Sequence, residues 1–305
     1  MNTTPTPVAP TTSAVPAQRP TTRSIRSVDR RRPRRTGRRI AIVLSIAWIV
    51  ALLLLAAAAD LLPLPGIDEP VGAPSLPPFS GDGPLLGTDA IGRDVASRLI
   101  HGIRISLVVG VGATAIALIL GVILGLIAAS SRGPIPAVIN VLTDTVLSFP
   151  PLLLLMALAT VLTPGVPTLV LSLGFLFVPP FVRLTRSAAI GQLGRDYITA
   201  ARTLGAGRAR IVFRELLPNS IQPVISYAVV VIAIIIVIEG SLSFLGVGVP
   251  APAPSWGSMI ASGKDNLARA PYLIIAPSLM IFLSVLSFNT VGDHLRRRLT
   301  GKDDA

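Results

Sequence analysis

The sequence predicts an all-α integral membrane protein with six transmembrane helices. Apolar residues make up 51% of the 305 residues, charged residues only 14%, and the mean hydropathy is +0.71. These values are far from those of a soluble domain. The apolar residues are gathered in six long runs, each close to or above the roughly 20 residues that cross a 30 Å hydrocarbon core. Helices are expected there because a lipid-embedded backbone must pair its polar groups internally.

The first run, the long segment after it and the remaining five runs define five parts of the chain, including the two tails. The approximate helices are Ile40–Ala59, Ile105–Ser130, Ala137–Leu162, Pro167–Val182, Ile221–Leu245 and Tyr272–Val291. We therefore expect a basic tail (1–39), a first transmembrane helix (40–60), an extracytoplasmic segment (61–104), a core domain with helices 2–6 (105–293) and a C-terminal tail (294–305).

The basic residues predict the orientation. Of the 27 lysines and arginines, 22 fall in the two tails or in the connections on the same side, and five fall on the other side. Because cytoplasmic connections carry the excess of basic residues, both termini and residues 196–219 are expected in the cytoplasm.

The net charge of +12 is local and does not indicate nucleic-acid binding. Residues 1–39 hold ten arginines and one aspartate, which leaves +3 for the rest of the chain. This tail has little apolar surface to bury, so disorder is expected. Its arginines suit anionic membrane lipid, and a role as a topology anchor alone is equally compatible.

Catalytic patterns are absent from the sequence. There is no cysteine, and the two histidines, His101 and His294, fall near opposite membrane faces. The phosphate-loop-like stretch GSMIASGK (257–264) has the wrong spacing and lies on the outer side. We therefore predict a non-enzymatic chain that binds no metal or cofactor, driven by a gradient or by another subunit.

A polar, arginine-rich segment separates the fourth and fifth apolar runs. This segment, Asp196–Asn219, reads DYITAARTLGAGRARIVFRELLPN. Its halves predict two short amphipathic helices that break at Gly205–Gly207, because glycine tolerates the backbone angles of a sharp corner. Pro218 is expected to begin the next helix, since a first helical turn needs no donor from it. An ordinary loop is the simpler alternative.

The same segment resembles a known motif. TAARTLG followed by LLPN is similar to the cytoplasmic coupling motif of the permease subunits of bacterial ABC importers. The matching positions are Ala200, Ala201, Gly205, Leu217 and Pro218. Thr199 stands where the motif has an acidic residue, and Glu215 stands where it has an isoleucine.

Three further segments resemble the dipeptide, oligopeptide and nickel branch of that family. They are LGTDAIGRDVASRL (86–99), DTVLSFP (144–150) and EGSLSFLGVGVPAPAPSW (239–256). With the coupling motif, the resemblance covers roughly residues 84–292.

The resemblance implies a fold, a function and partners. The fold is the type-1 ABC importer permease fold, with a coupling helix between helices 4 and 5, in a multi-pass protein of the bacterial cell membrane. The implied partners are a second homologous permease, two cytoplasmic ATP-binding subunits that use ATP–Mg, and an extracytoplasmic solute-binding protein. The substrate would be a di- or oligopeptide, with nickel or another small solute as the alternative. The implied ATPase-coupling residues are Thr199, Ala200, Ala201, Gly205, Ala206, Gly207, Leu217 and Pro218.

Charged residues inside the apolar runs are candidates for the transport pathway. Glu239 is costly because it lies about eighteen residues into the fifth run. With Ser243 and Phe244 it is a candidate for the pathway or gate. It can equally pair with Arg104 or form a structural hydrogen bond.

Asp144 and two arginines lie in the inner parts of neighbouring runs. Asp144, Arg183 and Arg186 fall at similar depths, which favours a structural ion pair between helices over a substrate site.

The long outer segment predicts a surface feature. Its first part is rich in proline and glycine, and Asp94–Arg104 predicts a short amphipathic helix at the outer surface. With Pro250–Ser255 it forms either a contact for the binding protein or a lid. An ion-gradient-driven secondary transporter remains the alternative of another class, although no inverted repeat, typical of such carriers, is visible.

Overall fold

The computed structural model describes residues 35–81 and 83–299 as an assembly of helices. They are α1 (Arg35–Ala58), α2 (Val95–Ser130), α3 (Pro134–Ser148), α4 (Pro151–Val161), α5 (Val166–Leu193), α6 (Asp196–Thr203), α7 (Arg208–Arg210), α8 (Leu217–Phe244), α9 (Trp256–Gly263) and α10 (Tyr272–Leu299). In these ranges five helices are long and apolar enough to cross a membrane, and the bent pair α3–α4 makes a sixth if it counts as one span. This confirms the all-α membrane class.

The ends of the chain differ from the prediction. α1 begins at Arg35, so part of the expected tail is helical, and residues 1–34 of that tail lie outside the described residues. At the other end α10 continues to Leu299, which places the first half of the expected C-terminal tail in the last helix.

The third predicted span is not one helix. α3 and α4 meet at 89° around Phe149 and Pro150, both of which have extended backbone angles. The prediction of an unbroken helix over 137–162 was therefore wrong. The physical reason is the Pro150–Pro151 pair, because a residue before proline avoids the α region and proline supplies no N–H donor.

The second span begins earlier than predicted. α2 has 36 residues, and the Oδ1 atom of Asp94 caps it by accepting the backbone N–H of Ala96 at 2.9 Å. The expected separate surface helix over 94–104 is thus the first part of α2. No proline separates the two parts, and Gly102 is accommodated within the helix, so α2 runs on without a break.

The outer segment is irregular in its first part but is held by side chains. The Thr88 hydroxyl donates to the carbonyl of Ala73 at 2.6 Å and accepts the N–H of Leu76 at 2.8 Å. Asp89 binds the Arg93 side chain at 2.7 Å. The Tyr272 hydroxyl lies 2.7 Å from the carbonyl oxygen of Leu76, which ties the segment to α10.

The core is centred on the contact between α2 and α5. A Cβ atom added at Gly121 would overlap Phe181, and one added at Gly125 would lie 2.6 Å from the Cβ of Thr185. The glycine pair therefore lets the two backbones approach closely, as small residues do in membrane helices. Phe181 then packs edge-on against Tyr227 of α8, with ring centroids 5.1 Å apart.

We predict that Gly121→Leu destabilises the α2–α5 contact. The new side chain must displace Phe181, and over-packing of this kind costs about 1–3 kcal/mol. A lower thermal unfolding temperature of the purified full-length chain in detergent is the expected result. Gly191→Ala in α5 is the control, because a Cβ there meets nothing within 4 Å. Equal unfolding temperatures for the two variants would contradict the prediction.

Candidate functional site: the coupling segment and the Glu239 node

The end of α6 forms the corner of the coupling segment, Asp196–Asn219. Gly205 has φ +80°, and its N–H donates to the carbonyl of Arg202 at 3.0 Å. The N–H of Ala206 reaches back to the carbonyl of Ala201, also at 3.0 Å. These two bonds are the Schellman arrangement, in which a left-handed residue ends a helix and satisfies its last carbonyls. Gly207 has φ −67°, so the corner requires glycine at position 205 but not at 207.

The second half of the segment joins α8 without a break. α7, a π-helical turn (Ile211–Leu216) and α8 form one helix of 37 residues from Arg208 to Phe244. Pro218 lies in the first turn of α8, as expected, but α8 continues the preceding helical turns instead of starting after a loop. Pro218 has no N–H for the carbonyl of Arg214, and the wider turn before it avoids a clash with that carbonyl. The N–H of Leu217 bonds the carbonyl of Val212.

Three apolar side chains anchor the segment to the membrane helices. Ile198, Ile211 and Leu216 are buried. Leu216 packs with Leu126 of α2 and Ala189 of α5. Leu216 therefore ties the segment to α2 and α5, in addition to the direct continuation of the segment into α8.

The face of the segment that points away from the helix bundle is exposed and carries small, apolar and basic side chains. Thr199 and Ala200 are exposed, and Ala201 is half-buried. Leu204 is 88% exposed and Phe213 is 68% exposed. Five exposed arginines surround them; they are Arg195, Arg202, Arg208, Arg210 and Arg214. Leu204 and Phe213 were not predicted as contact residues, although two large apolar residues in a polar, arginine-rich stretch were the available signal.

Glu239 lies in α8 far from the coupling segment. Its side chain is fully buried. Its Oε1 atom accepts hydrogen bonds from the hydroxyl groups of Ser243 at 2.9 Å and Ser255 at 2.7 Å. The Oε2 atom has no partner among the described residues. Arg104, the alternative partner considered from the sequence, instead binds Asp60 at 2.7 Å.

Ser255 connects this carboxylate to α9. Its hydroxyl also accepts the N–H of Ser258 at 3.1 Å, and its own N–H donates to the Ser258 hydroxyl at 2.8 Å, which completes a capping box. The next residue, Trp256, is buried and donates its indole N–H to the carbonyl of Leu99 at 3.2 Å. We call Glu239, Ser243 and Ser255 the Glu239 node.

Close backbone approach makes the Glu239 node possible. A Cβ atom added at Gly257 would lie 2.5 Å from the Cα of Gly240, so α8 and α9 touch through glycines. Phe244 does not join the node. It is 49% exposed, and the Nζ atom of Lys264 lies 5.6 Å from its ring centroid. Of the three pathway candidates, the structure thus brings Glu239 and Ser243 together and places Phe244 at the surface.

The three charged residues on α3 and α5 that were candidates for a structural ion pair do not share one contact. Arg183 Nη2 lies 2.6 Å from Asp144 Oδ1, with both side chains about 60% exposed. Arg186 instead donates to the Oδ1 atom of Asn140 at 3.1 Å. In residues 35–81 and 83–299 no group of three or more potential ligands is placed to hold a metal ion.

Known proteins share both sequence and fold with this chain. A family model described as "Binding-protein-dependent transport system inner membrane component" matches residues 121–301. The di/tripeptide transport system permease protein DppC of Pseudomonas aeruginosa (strain UCBPP-PA14) is 44% identical over 72% of this chain and 72% of its own length. The glutathione transport system permease protein GsiD of Pectobacterium atrosepticum is 35% identical over 71% of this chain and 72% of its own.

Solved structures show the same fold. An inward-facing structure of the MetNI methionine ABC transporter superposes with a TM-score of 0.57 at 16% identity, covering 66% of this chain and 96% of the other. A crystal structure of an amino acid ABC transporter with histidines gives a TM-score of 0.53 at 18% identity, covering 67% and 94%. At these identities the likeness supports the type-1 permease fold alone.

We predict that Ser255→Ala loosens α9 from α8. The substitution removes both the helix cap and one hydrogen bond to a buried carboxylate, with an expected cost of about 1–3 kcal/mol. Thermal unfolding of the full-length chain in detergent measures the loss. Ser262→Ala is the control, because that hydroxyl only bonds the carbonyl of Met259 within the same helix. A loss no larger than that of the control would rule out a structural role for the Ser255–Glu239 bond.

Proposed function

Because the chain belongs to the family of binding-protein-dependent transport system inner membrane components, the permease subunits of ABC importers, we propose that it carries short peptides inward as half of an ATP-driven pathway. The family assignment covers residues 121–301. The remaining half of the pathway would come from a second, similar permease. Two cytoplasmic ATPases would supply the energy, and an extracytoplasmic binding protein would deliver the substrate.

The observation that carries the proposal is the single helix from Arg208 to Phe244. It begins directly after the exposed corner of the coupling segment, and its other end carries Glu239 and Ser243 of the Glu239 node. A helix is stiff along its axis, so force applied at the corner reaches the node without an intervening loop. A loop with no partner would need neither the defined Schellman corner nor the exposed Leu204 and Phe213.

The coupling segment is the proposed docking site of an ATPase. Thr199 and Ala200 offer a flat, exposed helix face, with Leu204 beside the corner and Phe213 on the π-helical turn as apolar contacts. We propose that the exposed arginines add charge complementarity to an acidic rim on the ATPase. Placing this segment in the cytoplasm is part of the proposal and rests on the excess of basic residues on that side.

Transport requires two states of the permease that ATP and substrate favour differently. We propose that closure of the two ATPases draws the coupling segments together and favours the outward-open state. Hydrolysis then releases them and favours the inward-open state. The Glu239 node would keep α8 and α9 moving as one unit, so that the outer loop follows the coupling segment.

The proposed substrate class rests on the relatives. DppC of Pseudomonas aeruginosa is named for di- and tripeptide transport, and GsiD of Pectobacterium atrosepticum for glutathione, which is itself a tripeptide. We propose di- and tripeptides for this chain. Mass spectrometry of the ligand that co-purifies with the whole complex and its binding protein tests the class, and a ligand that is not a peptide would overturn it.

We predict that Gly205→Pro uncouples ATP hydrolysis from uptake. Proline is locked near φ −65° and cannot adopt the +80° of this corner. Peptide uptake by proteoliposomes containing the complete transporter should fall at least tenfold, while the chain still inserts in the membrane. Gly207→Ala is the matched control, because φ there is −67° and suits any residue. Unchanged uptake for Gly205→Pro would contradict the coupling role.

A second variant tests the docking face without changing the corner. Ala201→Arg places a long charged side chain on the proposed contact surface. We expect the ATPase subunits to be lost on co-purification or their peptide-stimulated hydrolysis to fall severalfold. Arg132→Ala, in which an exposed arginine between α2 and α3 and outside the coupling segment is shortened, should retain assembly. Full assembly and stimulation in Ala201→Arg would exclude this face as the ATPase contact.

A further inference from the structure

We propose, building on the proposed peptide-import function, that the face of α3 and α5 carrying Asn140, Asp144, Arg183 and Arg186 is a water-filled wall of the pathway that binds the terminal carboxylate of the peptide. We call these four residues the charged face. From the sequence, Asp144, Arg183 and Arg186 were expected to form a structural ion pair. The new assignment rests on the exposure of the Asp144–Arg183 pair and on the second guanidinium group, that of Arg186.

The charged face lies on α3 and α5, both of which belong to candidate membrane spans, and its arginines directly follow the apolar run that ends at Val182. Asp144 is ten residues from the start of α3, and Arg183 is ten residues from the end of α5, each about 15 Å along a helix. Arginine can extend its guanidinium toward the headgroups, but the short side chain of aspartate cannot. The carboxylate is therefore held at this depth.

The ionised Asp144–Arg183 pair is incompatible with contact with the hydrocarbon of the membrane. The Asp144 and Arg183 side chains are 60% and 59% exposed, although they are only 2.6 Å apart. Ionised groups in membrane helices face the protein interior or a water-filled cavity, because hydrocarbon does not solvate them. This surface is therefore turned toward water or protein in the assembled transporter.

The charged face has more positive than negative charge. It holds two guanidinium groups and one carboxylate. Arg186 donates one hydrogen bond to Asn140, and its Nε atom is buried with no partner in the described part of the chain. Guanidinium groups bind carboxylates with two parallel hydrogen bonds. The two guanidinium groups opposite one carboxylate thus leave a positive charge that suits a carboxylate from outside this chain.

An apolar cavity lies between the same two helices, although no residue of the charged face lines it. It has a volume of about 230 Å³ and lies between α2, α3, α4 and α5, with Leu142, Thr143, Phe175 and Pro179 in its wall. Pro179 and Pro180 supply no N–H donors, so the carbonyl groups of Phe175 and Leu176 lose their usual helical partners. These carbonyls can accept hydrogen bonds from the N–H groups of a peptide whose carboxylate lies at the arginines.

The arrangement suits a transported ligand better than a stored one. Every unmodified peptide has a terminal carboxylate, whatever its side chains, so one charged face serves many sequences. Asp144 already neutralises Arg183, which weakens the attraction for a second carboxylate. Conduction requires binding that is favourable enough to enter and weak enough to leave.

Thiol labelling tests the water-filled wall directly. The chain has no cysteine, so one introduced thiol is the only one in this subunit. Ser148→Cys, one turn from Asp144 and also exposed, should react with a membrane-impermeant thiol reagent in vesicles containing the complete transporter. The controls Val138→Cys on α3 and Ile119→Cys on α2 are 56% and 58% exposed in the isolated chain. They should react at least tenfold more slowly, because they lie away from the charged face.

Protection from labelling tests the carboxylate. A tripeptide should slow the labelling of Ser148→Cys at least threefold, whereas the same tripeptide with an amidated C terminus should not. Adding Arg186→Gln to Ser148→Cys should abolish the protection. Equal protection by acid and amide, or protection that survives Arg186→Gln, would overturn the carboxylate assignment.

Two other outcomes are distinguishable. If an acidic residue of a second permease covers the charged face, Ser148→Cys will label in this chain purified alone but not in the complex, which overturns the proposal. Peptide uptake that needs no ATP would instead overturn the proposed importer function. The labelling pattern does not depend on the energy source, so it would stand in that case.

Discussion

The two hydrogen bonds that Glu239 accepts hold the outer part of the molecule together. A carboxylate buried within a membrane helix is stable only if polar groups replace the water that it has lost. Ser243 supplies one such group from the same helix, and Ser255 supplies the other from the start of α9. Because Ser255 also caps α9 and precedes the buried Trp256, the burial of one side chain determines where the loop, α9 and the outer part of α2 lie.

The Glu239 node attaches one end of the continuous helix α8 to α9. A helix that carries a docking surface at one end is a useful lever only if its other end is attached to the part that must move. Pro218 and Pro223 interrupt hydrogen bonding near the inner end, and the π-helical turn absorbs the first of them. Helix α8 can therefore bend most easily near the coupling segment. Its other end is held to α9 by the Gly240–Gly257 contact and by the hydrogen bonds of Glu239.

The same constraint separates two kinds of charge within the membrane. Glu239 is buried and accepts two hydrogen bonds from serine hydroxyls, so it contributes to packing. Asp144 and Arg183 are paired yet exposed, so the isolated chain leaves their surroundings incomplete. The bend between α3 and α4 and the two prolines of α5 add unpaired backbone groups on this side. Polar groups therefore collect on one face of the bundle, which is where a transport pathway is expected.

Much of the architecture was predictable from the sequence because it depends on local properties. The length and hydropathy of the runs predicted the membrane class, and Gly205 predicted the corner of the polar segment between α5 and α8. Local rules also existed for the features that were missed. The Pro150–Pro151 pair signalled the bend after α3, and the lack of a proline between residues 95 and 105 signalled one long α2.

Other features were decided only by tertiary structure. Ser255 is 16 residues from Glu239, and Arg186 is 46 residues from Asn140, so no local pattern pairs them. The exposure of Leu204 and Phe213 depends on which faces of α6 and the π-helical turn pack inward. The sequence by itself determined that the chain is a multi-pass membrane protein and which polar segment separates its apolar runs, because the bilayer acts on each helix separately. The partner of each charge was decided by the tertiary structure, because desolvation in a packed bundle depends on every neighbouring helix.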